Sequence, residues 1–527
     1  MAVVPEATQL HRDHQVRLAE VVCVIALATD LGTGVAFEHA ARTCLLSLRL
    51  GRRLGLAPAD MADLYYLTLL RMAGCTADSH AAAYHFADEV EFGRETRHLD
   101  YGDPEAFGRW VQQSFATDRP AGEREELLSK LFAYTPEARR EALAGHCEVA
   151  QMLGRRLGVS RSVVEGLDYV YERWDGSGAP RQLAGEAVPQ IARVLNLCNE
   201  LEIHHELGGP DAALEMARRR SGSQFEPALV DEACADPSLF DELTTDSVMD
   251  AVLDAEPGAA RSLTAKGLVE AGRAIADFGD LKSAYLAGHS SGVAELAAGA
   301  GARVGLDEAA IAELRLAGLC HDVGRVGVTS AVWDKATPLS DSEWEKVRLH
   351  PYHTERLLAR GTRMPGLARL AGAHHERLDG SGYHRGSSAG ALSMAARLLA
   401  AADAYHAMIE SRPHRAALEP DEAAARIRQD VAAGKLDAEA AGAVLAEAGR
   451  PGGTMRPPRP AGLTEREVDV LREIARGASI QEAATALHVA PKTVDYHLQN
   501  VYSKAGVTTR AAATLFAIQN DLLREQP

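Results

Sequence analysis

The chain has 527 residues, 46% of them apolar and only 5% aromatic, and carries a formal charge of −18. That length exceeds what one hydrophobic core serves and predicts about three domains. The net acidity excludes a molecule that binds nucleic acid over its whole surface, so any such contact must be local. Ala, Leu, Arg and Glu dominate, which predicts an all-α fold packed through small residues. Seven cysteines lie scattered without a CxxC pair and read as reduced thiols of a cytoplasmic protein. No signal-peptide pattern opens the chain, and the longest apolar run, at 21–28, falls far short of the roughly 20 residues that span a bilayer, so no membrane is expected.

In chain order, two related helical domains come first. HERLDGSGYHRG at 375–386 matches YERWDGSGAPRQ at 171–182. The match continues without a gap into ARLLAAADAY from Ala396 over ARVLNLCNEL from Ala192. Upstream, the segment from His289 aligns with the one from His39. These matches predict tandem repeats at 12–235 and 275–445, the first with an extra insertion, joined by a segment at 236–274 that includes an acidic stretch at 236–254. A Pro- and Gly-rich linker is expected at 446–461, and a small four-helix domain at 462–527.

The second repeat offers, in order, His289, His321–Asp322, His350, His374–His375 and Asp403. Imidazoles and carboxylates suit iron, manganese or zinc. Seven such groups suffice for two ions if one carboxylate is shared, and an ion pair of that kind acidifies water for phosphoryl displacement. A lone histidine is more often structural, but adjacent His-Asp and His-His pairs, each ending an apolar helix, are hard to explain that way.

These residues stand in HDVGRVGV, LHPYHTERLL, HHERLDGSGYH and AADAYHAMIESRPHR, which resemble in order and spacing the HD-GYP family over about 140 residues. The resemblance implies a metal-dependent phosphohydrolase of cyclic di-GMP or a related cyclic dinucleotide, with two divalent ions (Fe or Mn, alternatively Zn). It implies that Asp322 bridges them and that Asp322 and His321 form the catalytic pair. His289, His321 and Asp403 then serve mainly one ion, and His350, His374 and His375 the other. Substrate phosphates fall to Arg325, Arg412 and Arg415, with Tyr383 beside them; guanidinium forks match phosphate oxygens. The chain departs from the family pattern at Arg325, His384 and His406, and at Tyr285, where some members carry a Glu for a third ion. Two ions are therefore expected.

The same alignment places Arg71–Met72 on His321–Asp322, Val170–Tyr171 on His374–His375 and Asn199 on Asp403, leaving only His39 and His146 of the seven ligands. The first repeat is expected to keep the fold and lose the metals.

In the tail, a helix from about 465 to 476 should stop at Gly477, Ser479 and Glu482 form a capping box, a turn falls near His488, and Pro491 opens a third helix. Val494, Leu498 and Val501 should be buried on it. The elements LTERE, GASIQEAA, TVDYH and KAGVTTRA resemble the LuxR-type helix-turn-helix family. That resemblance implies that helix 491–505 enters the major groove of double-stranded DNA, with Lys492, Thr493, Asn500 and Lys504 on phosphates and Tyr496 and Gln499 at base edges. It also implies a homodimer. Seven Lys/Arg against eight Asp/Glu in 462–527 and an acid at Asp495 weaken the basic footprint, which Arg450, Arg456 and Arg459 of the linker could restore. The sequence thus points to a DNA-binding bacterial signalling regulator with a phosphohydrolase domain. It leaves open a catalytically inactive sensor of metal or nucleotide, and a phosphodiesterase whose tail serves only interaction.

Overall fold

The structure is a computed structural model that describes residues 15–245, 247–362, 364–449, 460–520 and 522–523. Linker residues 450–459, including Arg450, Arg456 and Arg459, lie outside it. Every named element among the described residues is a helix, and none is long and apolar enough to cross a membrane.

The first repeat is built on α1 (Leu18–Thr33), α2 (His39–Arg53), α3 (Pro58–Leu70), α4 (Pro136–Leu157) and α5 (Gln190–Arg219). Between α3 and α4 the insertion folds into short helices around its own small core of Trp110, Val111, Phe115 and Leu131. The second repeat follows the same plan with α6 (Ala265–Asp280), α7 (His289–Arg303), α8 (Glu308–Cys320), α9 (His350–Gly361), α10 (Pro365–Ala371) and α11 (Met394–Met408). Helix α6 begins ten residues before the expected start at 275, because Thr264 caps it by accepting from the Gly267 amide. The acidic stretch of the joining segment packs on the first repeat. Leu239, Phe240, Val252 and Leu253 are buried against the first repeat, and Tyr65 donates to the Val252 carbonyl at 3.2 Å.

The repeats share one hydrophobic cluster. Helix α1 packs on α9 and α6 packs on α4, so each repeat's first helix lies against the other repeat. Close approach depends on Gly361, where an added Cβ would stand 2.7 Å from a Val24 methyl. The insertion adds a polar clamp: Glu89 accepts from Lys282 at 2.7 Å, Thr329 Oγ1 at 2.5 Å and the Ser330 amide at 2.8 Å. In both repeats an acid on the first helix caps the next. Asp30 accepts from the Ala40 amide, and Asp280 from the Ser290 amide and hydroxyl.

The tail comprises α12 (Glu465–Ala475), α13 (Ile480–Ala486), α14 (Pro491–Ala505) and α15 (Arg510–Gln519). Capping boxes at Thr464/Glu467 and Ser479/Glu482 start the first two, and Gly477 and Gly506 provide the left-handed turns after α12 and α14. Val494, Leu498 and Val501 are buried, as the periodicity predicts. Helix α15 rests on α4 and also touches α6. Glu148 of α4 accepts from the amides of Thr508 (2.7 Å) and Thr509 (3.0 Å) and from the Thr509 hydroxyl (2.7 Å). Gln519 reaches Asp277 of α6, which also pairs with Arg156 of α4.

Glu148→Ala is expected to cost about 1 kcal/mol, the scale of a lost helix cap. Amide exchange should quicken at Thr508 and Thr509 and not along α14; unaltered exchange at those two threonines would show the carboxylate is idle.

Candidate metal centre and nucleic-acid interface

The seven predicted ligands come from separate segments of the second repeat. His289 begins α7, His321 and Asp322 directly follow α8, His350 begins α9, His374 and His375 follow α10, and Asp403 lies within α11. All are buried except His375, which is half-buried. Two backbone features make this convergence possible. Gly324 lets the turn after Asp322 lie flat on the start of α9, where a Cβ would stand 2.2 Å from the His350 carbonyl oxygen. Thr354 stitches the same turn, donating to the His321 carbonyl at 2.7 Å and accepting from the Gly324 amide at 3.0 Å.

Asp322 is central. Its Oδ2 lies 3.2 Å from His321 Nε2 and 3.5 Å from His289 Nε2, whereas its Oδ1 lies 3.4 Å from Nε2 of both His350 and His374. Asp403 is divided similarly: Oδ1 is 3.3 Å from His289 Nε2, and Oδ2 is 3.7 Å from His375 Nδ1. The donor atoms form two compact groups, His289–His321–Asp322 and His350–His374–His375.

The donor chemistry fits divalent cations. His289 Nε2, His321 Nε2, both oxygens of Asp322 and Oδ1 of Asp403 are buried and have no hydrogen-bond partner among the described residues. Nε2 of His350 and Nε2 of His374 stand 3.0 Å apart although each ring commits Nδ1 to a carbonyl, of Val347 and Ala371 respectively. Two bare imidazole lone pairs facing each other call for an electrophile between them. Burial takes His350 down to about 4. Burial opposes the charge on Asp322, yet Arg325, His321 and His350 outweigh it and hold the carboxyl well below its usual range. Burial likewise opposes a charged His289, but Glu410 and Asp403 raise it to about 10.

The four expected phosphate contacts sit differently. Arg325 is at the cluster, its Nε 2.7 Å from Asp322 Oδ2 and its guanidinium 4.7 Å over the Trp333 ring. The Tyr383 ring stacks on His375 with centroids 4.7 Å apart. Arg412 pairs with Glu410 at 2.9 Å and donates to the Tyr285 carbonyl. Arg415 turns towards the end of α11, donating to the carbonyls of Ala407, Met408 and Glu410. The loop behind His375 is held from below: Glu376 accepts from the amides of Arg385 and Ser387. Glu410 escaped the sequence reading. It stands 2.8 Å from His289 Nδ1 and 3.0 Å from His406 Nδ1, and the signal available was an acid four residues after the unusual His406.

In the first repeat the same place is filled by protein cations and amides. Arg71 donates to Asn199 Oδ1 at 3.0 Å and lies 5.7 Å over the Tyr171 ring; His146 pairs with Asp78 at 2.6 Å. The loss of the cluster inferred from the alignment is matched by these substitutes.

On the tail, Lys492, Tyr496 and Gln499 are exposed along α14, and Thr493 and Asn500 are half-buried there. Lys504 is engaged by Glu467 at 2.7 Å and by the Gly462 carbonyl. Asp495 is exposed among the candidate contacts.

Comparison with known proteins identifies the families of the domains that carry these residues. The HD domain family matches residues 125–229 and 273–440, and the family of bacterial regulatory proteins of luxR type matches 461–517. A 3'3'-cGAMP-specific phosphodiesterase of Vibrio cholerae is 29% identical over 421 residues, 79% of this chain and 91% of that protein. A crystal structure of a cyclic GMP-AMP-specific phosphodiesterase from V. cholerae covers 82% of this chain and 98% of its own, at 26% identity and a TM-score of 0.58. A cyclic di-GMP phosphodiesterase of Pseudomonas aeruginosa is 32% identical over 142 residues, 27% of this chain and 34% of that protein. The chain is therefore a member of the HD domain family, with a C-terminal domain of the luxR family of bacterial regulatory proteins.

Proposed function

We propose that this chain is a DNA-binding regulator whose second HD domain hydrolyses a cyclic dinucleotide, 3'3'-cGAMP or cyclic di-GMP, with two divalent ions, Fe or Mn. The observation that carries the reading is the division of Asp322, each oxygen facing a different set of imidazoles. On this reading Asp322 would be shared between the two ions, with His289, His321 and Asp403 holding one and His350, His374 and His375 the other. When bound, the two cations supply acidified water and neutralise charge on the reacting phosphate. The protein's own groups orient the substrate: Arg325 and Arg412 lie beside the cluster to meet phosphate oxygens, and the Tyr383 ring faces it next to His375. The relatives' named substrates, both cyclic dinucleotides, support the substrate class. The tail presents α14 to the major groove, and a homodimer would place two such helices on paired half-sites.

A second reading, binding without turnover, is favoured by one contact. Arg325 Nε lies 2.7 Å from the Asp322 oxygen that also faces His289 and His321, so a guanidinium competes there with a metal ion.

Elemental analysis and a turnover panel on the full chain decide between them. The expected result is two divalent ions per chain and release of linear dinucleotide from 3'3'-cGAMP or cyclic di-GMP. Two ions without turnover would favour the sensor, and no bound metal would refute the phosphohydrolase reading. Asp322→Ala should lose most of the metal and all measurable turnover; a variant that keeps both ions would refute the bridge. For the tail, Gln499→Ala should relax base preference at one position of the site by about 1–3 kcal/mol in gel-shift competition. Lys492→Ala should weaken all sequences alike and lower the salt slope by about 1. An unchanged preference in the first case would remove Gln499 from base reading.

A further inference from the structure

Imidazole ligands need an acceptor on the nitrogen away from the metal, which fixes the tautomer and aims the ring. For His321, His350 and His374 that acceptor is a carbonyl three residues earlier, of Gly318 at 2.7 Å, Val347 at 2.6 Å and Ala371 at 2.7 Å. His350 begins a helix, yet the helix Asp341–Arg348 runs directly into it and provides the carbonyl. His289 has no such support. It is the first residue of α7 and follows Gly288 in the left-handed region at φ 78°, so the short turn Ala284–Leu286 before it does not run on into its helix.

Resting on the two-ion reading above, we propose that Glu410 is a positioning residue of the metal centre, its carboxylate accepting from His289 Nδ1–H and so aiming His289 Nε2 at Asp322 and Asp403. The Nδ1 to Oε2 distance is 2.8 Å. The carboxylate is itself held, by Arg412 Nη2 at 2.9 Å and His406 Nδ1 at 3.0 Å. Arg412 is locked in turn by paired backbone hydrogen bonds with Arg415 and by its bond to the Tyr285 carbonyl.

The first repeat supplies an internal control. His39 also begins its helix after a left-handed residue, Glu38, and its Nδ1 also meets a carboxylate, that of Glu202. By the repeat alignment Glu202 falls on His406, and Arg42, which pairs with Glu202, falls on Gly292. In the second repeat the His406 ring occupies the space beside Gly292, where a Cβ would stand 2.0 Å from His406 Nε2. The acid has moved four residues along the chain, from the position of residue 406 to residue 410, and remains on the same imidazole nitrogen. What the two repeats retain is therefore the pairing and not the position. His289, His406 and Glu410 are also close enough to share an ion, but the Arg412 guanidinium on the Glu410 carboxylate already provides the positive charge there.

The test is a Mn²⁺ titration of the metal-free full chain, read by calorimetry without nucleotide. Glu410→Ala is expected to weaken binding by about 10- to 100-fold, the range for loss of a ligand's outer partner, with the number of ions at saturation unchanged. Glu410→Gln, whose amide oxygen still accepts from Nδ1–H, should weaken binding less, and it keeps the test open if the alanine variant does not fold. Adding His406→Glu to Glu410→Ala restores an acid where the first repeat has one and should recover affinity. At saturating Mn²⁺, kcat should return towards the parent value with KM unaltered. Parental affinity in both single variants would overturn the proposal. So would the loss of one ion at saturation, which would make Glu410 a ligand. A parent chain that binds no Mn²⁺ would instead refute the two-ion reading itself, so the two failures are distinguishable.

Discussion

Asp322 is buried to 1% exposure with no hydrogen bond to either oxygen among the described residues. A carboxylate so placed is tolerable only where positive charge surrounds it. That requirement organises the second repeat. It explains why helix ends from four directions bring imidazoles to one point, and why Arg325, rather than an apolar residue, follows the turn at Gly324. The first repeat meets the same demand without an acid at the centre. Met72 takes the place of Asp322, and the cation Arg71 takes that of His321, satisfied by Asn199 and the Tyr171 ring. Removing the central charge and installing a fixed one are parts of a single exchange, and the helical frame survives it.

Much of this was legible in the chain because it is local. The capping box of Ser479 and Glu482, the left-handed Gly506 and the buried stripe of Val494, Leu498 and Val501 follow from residues three to seven apart. The loop DGSG was legible as well, since Asp379 and Asp175 each accept from the serine two residues on, in both repeats. The candidate ligands were recognisable as a set because adjacent His-Asp and His-His pairs stand in the order and spacing of the HD-GYP pattern, and the internal repeat showed the same positions emptied elsewhere. Their division into two sets about Asp322 came with that resemblance; the distances from each of its oxygens to the imidazoles required the fold.

What escaped the sequence depends on distant segments meeting. Glu410 is 121 positions from His289, and no periodicity links an acid in a loop to the first residue of a remote helix. The same holds for the basic residues. Arg415 and Lys504 look like free charges in one dimension, yet one caps the carbonyls ending α11 and the other is bound by the capping acid Glu467. A side chain's charge is visible in sequence; its prior engagement is not. The stretch at 236–254 is likewise placed by distant contacts, with Leu239, Phe240, Val252 and Leu253 buried and Asp236 paired with Arg53 at 2.9 Å.

The seat of α15 has a mechanical corollary. Its first turn is tied to α4 by Glu148, and its last residue reaches α6 through Gln519 and Asp277, so one short rod straddles the seam between the two halves of the scaffold. If the halves pivot about that seam, the rod cannot stay fastened at both ends. The attitude of α14, carried on the same small body, becomes a gauge of torsion arising in helices hundreds of positions away in the chain.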